Sequence, residues 1–166
     1  MKKQRWYRFF FLIYCTVMLW LLLVRAVPDL GDMPYWEYVI DSLVLKPGRT
    51  IKLFWKVIAQ PEHYIDLMGL DWYIKNRAHA IYNLAGNVLL FIPLGFFLPT
   101  IWSRLQKWWK TLLISALLVT FVEILQALTL QGTCDVDDLI LNTLGALIVY
   151  LGFCITKKSP KKRKKK

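Results

Sequence analysis

Apolar residues along the chain gather into four runs separated by polar ones, and each run is long enough to predict a helix that crosses a membrane. The runs cover about Phe9 to Val27, Tyr82 to Trp102, Thr111 to Leu130 and Val136 to Thr156. At 1.5 Å per residue the first reaches about 28 Å, close to the thickness of a hydrocarbon core. Pro28 stops it, and no small-x-small site follows, which argues against a cleaved signal peptide. Arg25 near its far end can snorkel to the headgroups. Pro93, inside the second run with Gly95 close by, removes a backbone donor and predicts a bend.

The connection from residue 28 to 82 holds no run long enough to span. Within it Ile51, Phe54, Trp55 and Ile58 recur at helical spacing, with Arg49, Lys52 and Lys56 opposite. That pattern predicts an amphipathic helix lying in the plane of the membrane surface, with Trp55 at headgroup depth. Tyr35, Trp36, Tyr38, Trp72 and Tyr73 repeat the interfacial chemistry, so the segment is read as hugging the bilayer or as a lid over a polar site. The fold class expected is an all-α membrane protein: four transmembrane helices, a long external loop with an interfacial helix, a single domain over residues 1–156, and a basic tail over 157–166.

Charge adds an orientation. The chain is 57% hydrophobic with a net charge of +11, and the basic residues crowd both ends and the short connection with Arg104, Lys107 and Lys110. Short Lys- and Arg-rich segments stay on the cytoplasmic side, so both termini are expected inside and the first and third connections outside. A lysine cluster beside a span is read as a headgroup anchor rather than a nucleic-acid site. Of three cysteines, Cys15 and Cys154 fall inside apolar runs and Cys134 stands alone in a loop; all are read as packing residues.

Polar residues inside the runs carry the functional signal, because hydrocarbon rejects them unless something satisfies them. His79, Asn83 and Asn87 recur every fourth residue; Glu123 and Gln126 lie one turn apart; Asp138, Asn142 and Gly145 share a face of the fourth run. Counting from the external boundary, Asn87, Glu123 and Asn142 sit about 6 to 10 Å deep. The expected assembly is an outward-facing polar cavity lined by Asn83, Asn87, Glu123, Gln126, Asp138 and Asn142. Glu123 is read as protonated unless a cation joins it, since burial penalises the charged form. No Lys or Arg occurs between residues 111 and 156, so its partner must be a proton, an amide, a residue of another segment, a metal or a ligand. Asp135, Asp137 and Asp138 offer oxygen ligands to a divalent cation, or are solvated acids and helix N-caps. No other cofactor is implied.

Three blocks in order carry a resemblance: N-x2-G-N-x3-F-x-P-x-G from Asn83, E-x2-Q from Glu123, and D-x-D-D-x3-N-T-x-G from Asp135. Over about residues 79 to 153 the chain resembles the VanZ-like family of bacterial membrane proteins, named for a member that confers low-level teicoplanin resistance. Family members often carry an Arg shortly before the acidic block, where this chain reads Gln131-Gly132-Thr133-Cys134. The resemblance implies a role in the cell envelope of Gram-positive bacteria, in glycopeptide tolerance. The partners expected are membrane lipids and a lipid-tailed antibiotic or cell-wall precursor, with no nucleic acid. The alternative is an intramembrane enzyme acting on a lipid or cell-wall precursor, with Glu123 and Asp138 as acid-base groups or metal ligands. Against it stand the lack of a nucleophile pair, a paired-histidine metal motif or a Gly-rich phosphate loop; His63 and His79 are the only histidines. A transporter is disfavoured by four spans without an evident repeat.

Overall fold

The computed structural model of the chain describes residues 2–24 and 27–158. Four long helices form the body: α1 (Lys2–Leu23), α5 (Leu70–Ile101), α6 (Trp108–Leu128) and α7 (Val136–Lys158). Each contains a stretch long and apolar enough to cross a membrane. The short α2 (Tyr35–Asp41), β1 (Leu43–Val44), α3 (Arg49–Ala59) and α4 (Pro61–Met68) lie between α1 and α5, and β2 (Cys134–Asp135) precedes α7. Arg25 and the tail from 159 to 166, both assigned roles from sequence, fall outside the described residues.

Helix ends differ from the hydropathy boundaries for simple reasons. α1 starts at Lys2 instead of Phe9, because Lys, Arg and Gln are good helix formers and each residue added to a formed helix gains a backbone bond. The largest correction is α5, which starts twelve residues before Tyr82. Its 32 residues reach about 48 Å, well beyond a hydrocarbon core of about 30 Å. Asp71, Lys75 and Arg77 interrupt the hydropathy of its first turns, so the pattern could not mark them as part of the helix. α6 ends at Leu128: Gln131 N–H donates to the Gln126 carbonyl at 2.9 Å and Leu130 N–H to Ala127 at 3.2 Å. That is a Schellman closure, with Leu130 at φ 58° in the left-handed position usually given to glycine.

The core of the bundle is contributed by Met18 and Leu22 of α1, Phe91, Leu94 and Leu98 of α5, Val119 and Val122 of α6, and Ala146 of α7. Leu12, Leu89, Leu117, Phe121 and Leu151 point outward and are exposed, as befits helices solvated by lipid rather than water. Pro93 lies within a helix that continues past it, and nearby the Leu90 carbonyl accepts the Tyr14 hydroxyl of α1 at 2.9 Å.

α3 forms over the predicted residues, but its apolar face is only partly free. Val57 is buried and Ile51, Phe54 and Ile58 are half-buried, while Leu53 and Trp55 remain exposed. Phe54 meets His79 of α5 edge-to-face, with centroids 5.5 Å apart. Much of the stripe assigned to the bilayer is therefore satisfied by the long helix that hydropathy cut short.

Gln4 Nε2 donates to the Ile101 carbonyl at 3.1 Å and the Tyr150 hydroxyl to the Gln106 carbonyl at 2.7 Å. These bonds gather the start of α1, the basic turn after α5 and the latter part of α7 at one end of the bundle. The opposite end carries α2, α3, both strands and the acidic turn.

α5 and α7 run parallel at backbone contact. A Cβ at Gly95 would sit on the Ala146 carbonyl, and one at Gly145 on the Val88 carbonyl, so both positions need glycine for space. Gly152 faces nothing within 4 Å. Gly95→Ala and Gly145→Ala are expected to destabilise the protein by about 1–3 kcal/mol through overpacking, whereas Gly152→Ala is expected to be neutral or slightly stabilising. Thermal unfolding of the three variants in detergent checks this ordering; equal midpoints would remove the close-packed seam.

Candidate functional site

The site begins with a strand pair too short to read from sequence. β1 pairs with β2 in parallel, Leu43 opposite Cys134 and Val44 opposite Asp135, and Cys134 N–H donates to the Ser42 carbonyl at 3.0 Å. The pairing carries the residues after β1 across the head of α7. Gly48 then turns the chain at φ 78° into α3, whose N-terminus has no capping side chain of its own.

The missing cap comes from α7. Asp137 Oδ1 accepts Gly48 N–H at 2.5 Å, and its Oδ2 accepts Thr50 N–H at 2.8 Å and Ile51 N–H at 3.0 Å. A carboxylate there satisfies three orphan donors and lies at the positive end of the helix dipole. Asp135 caps α7 itself: its Oδ1 accepts Asp137 N–H at 2.8 Å and its Oδ2 accepts the Thr50 hydroxyl at 2.5 Å. Behind them Glu123 Oε2 accepts Asp135 N–H at 3.3 Å. Asp135 and Asp137 are therefore not solvated, being 4% and 0% exposed, whereas Asp138 is half-buried. Among the described residues no group of three His, Cys, Asp or Glu is placed to hold a metal ion.

Beside this network lies a cavity of about 370 Å³. His79, Asn83 and Asn87 of α5 form one wall, as their spacing predicted; Gln126, Thr133, Asp135 and Asp138 form another, and Arg49, Thr50, Leu53 and Phe54 of α3 form a third. The Asn87 amide donates to Asp138 Oδ1, and Gln126 Nε2 to the Leu22 carbonyl at 3.0 Å. Of the residues assigned to a shared cavity, Asn83, Asn87, Gln126 and Asp138 line it. Glu123, at 5% exposure, is directed at the Asp135 amide instead. Asn142, at 1% exposure, sits one turn before the close-packed Gly145, with its Oδ1 lacking a partner among the described residues.

Sequence reasoning missed Arg49, which was placed on the solvated face of a surface helix. It borders both the cavity and a neighbouring groove with Lys46, Lys52 and Lys56. A signal existed in the Lys46-Pro47-Gly48-Arg49 start: a helix opening on glycine without a capping side chain requires an acceptor from elsewhere.

A family model described as VanZ/LLP1 matches residues 11–157. The chain belongs to the VanZ/LLP1 family. No curated protein and no solved structure matches it.

In this VanZ/LLP1 chain the stretch before the acidic block carries no arginine, and Arg49 of α3 borders the cavity. Cys134 stands close to the same carboxylates: burial pushes its thiol up, and the charges of Glu123 and Asp135 push it further. A thiol held protonated is a poor nucleophile, consistent with a packing role.

Asp137→Ala leaves three donors at the start of α3 without their acceptor and is expected to cost about 1–3 kcal/mol. Hydrogen exchange at Thr50 and Ile51 should accelerate, while exchange in the middle of α6 stays unchanged. Undiminished protection at both amides would mean that α3 is held by its packing on α5 alone.

Proposed function

We propose that this VanZ/LLP1-family protein holds a lipid headgroup, or the polar end of a lipid-tailed ligand, in the cavity beneath α3, and that it thereby contributes to tolerance of teicoplanin-type glycopeptides in the bacterial envelope. The observation that carries this reading is the continuity of the polar cavity with a second groove, whose further lining of Leu21, Tyr82, Gly86 and Leu90 is mostly apolar. His79, Asn83, Asn87 and Leu22 border both spaces. The groove, about 510 Å³, runs between α1 and α5. A ligand with a polar head and an apolar tail meets matching surfaces in both.

Binding is favoured over the enzymatic alternative because Glu123, its main acid-base candidate, bonds to the Asp135 amide and does not line the cavity. The cavity is assigned to the external side by the positive-inside rule, since Arg104, Lys107 and Lys110 lie at the opposite end of the bundle. Cysteines introduced at positions 62 and 132 in a cysteine-free background should react with an impermeant thiol reagent in intact cells, and one at 106 should not. The reverse pattern would turn the cavity toward the cytoplasm and end the proposal.

Expression in a susceptible Gram-positive host is expected to raise tolerance to teicoplanin more than to vancomycin, because only teicoplanin carries a lipid tail. Asp138→Asn removes one of the two cavity carboxylates at constant size and should abolish the gain while the protein remains folded and in the membrane. Minimum inhibitory concentrations for both drugs check this; equal protection against them would sink the lipid-tail explanation.

A further inference from the structure

The outward side of α3 carries positive charge that no acidic residue of the helix offsets. Arg49, Lys52 and Lys56 fall within an arc of about 60° on the helical repeat, and Lys46 joins them from the turn before α3. All four are exposed and border one groove of about 670 Å³, whose described lining includes no Asp or Glu. Like charges three and four residues apart on a helix repel, and Arg49 also stands at the positive end of the helix dipole. The stripe therefore costs α3 stability instead of adding to it. Ile51, Phe54 and Ile58, which are half-buried, lie on the opposite side, so the cations face away from the protein.

The level at which α3 is docked says what these cations meet. Phe54 packs on His79, three residues and about 5 Å before the apolar run of α5 begins at Tyr82, which sets α3 at the membrane boundary. On the helical repeat Leu53 flanks the basic stripe on one side and Trp55 on the other, and Leu45 precedes it; all three are exposed. Cations edged by exposed leucine and tryptophan match the junction of headgroups and acyl chains, whereas a soluble anion would leave the apolar edges in water. A zwitterionic headgroup also brings an ammonium, which four cations repel. We propose that the outward face of α3 binds the phosphates of anionic phospholipids in the leaflet at this end of the bundle. Arg49 and Leu53 border the cavity as well, so the bound headgroups gather at its mouth. This surface lies outside the cavity and goes beyond the ligand proposed for it.

A site-resolved measurement of lipid preference tests the proposal. The full chain, in a cysteine-free background with a fluorophore on Leu53→Cys, is placed in phosphatidylcholine nanodiscs containing nitroxide-bearing phosphatidylglycerol or phosphatidylcholine, and quenching reports which lipid adjoins the label. Phosphatidylglycerol is expected to be preferred about tenfold at low salt, and less as salt rises. Arg49→Gln and Lys52→Gln should each lower the preference about fivefold, the usual contribution of one basic residue at an anionic surface, while Arg49→Lys keeps it. A fluorophore at the exposed Leu89, within the apolar run of α5, should not respond to these variants, which separates the stripe from the basic ends of the chain. Each Gln variant removes a repelling charge at an exposed position, so its thermal midpoint should be unchanged or raised; Lys56→Gln makes the same test should either fail to fold. Equal quenching by the two lipids, or full preference in a folded Gln variant, would overturn the proposal. Displacement by free glycerol 3-phosphate as effective as by the lipid would assign the groove to a soluble anion and overturn the lipid surface. The cavity reading fails separately, since it is judged by teicoplanin tolerance and not by this preference.

Discussion

One buried carboxylate holds the two halves of this structure together. Asp137 accepts three backbone N–H groups at the start of α3 with no solvent access, in a chain where α3 brings no cap of its own. A buried charge is tolerated only when it is bonded on several sides, and here the helix dipole adds to the three bonds. Asp135 and Thr50 extend the arrangement into a small network that also caps α7. The segment between the first two long helices is therefore fastened to the head of α7, not left to settle on a membrane surface by hydrophobicity alone.

That fastening decides the electrostatics of the cavity. Helices α5, α6 and α7 bring amides and carboxylates to it, and no arginine or lysine occurs between residues 111 and 156. Capping by Asp137 sets the first turn of α3 over this surface, and Arg49 occupies that turn. The same docking turns Phe54 onto His79, so the roof is partly aromatic and the rim cationic. A polar pocket with a basic edge follows from one helix being capped in trans.

The lower part of the bundle obeys a different constraint. Where lipid surrounds the helices there is little hydrophobic drive between them, and close backbone approach supplies the packing instead. Gly95 and Gly145 allow α5 and α7 to touch along one seam. Asn142 lies at the upper end of that seam, and its buried oxygen, without a partner among the described residues, marks where close packing gives way to the polar site.

By itself the sequence determined the four long helices, since apolar runs of bilayer length permit little else, and it placed His79, Asn83 and Asn87 on one stripe because helical spacing is fixed by backbone geometry. The three motif blocks likewise sufficed for the family. It left undecided what the acidic turn does: a pattern of Asp135, Asp137 and Asp138 is equally suited to water, a cation or helix caps, and only the parallel pairing of residues 43–44 with 134–135 brings the N–H donors of α3 to two of them. Nor did it reveal the true start of α5, where charged residues hide helical structure that projects beyond the bilayer. Arg49 was illegible for the same reason. A residue's face on an isolated helix follows from periodicity, but which surface that face meets depends on contacts made nearly ninety positions away, at Asp137.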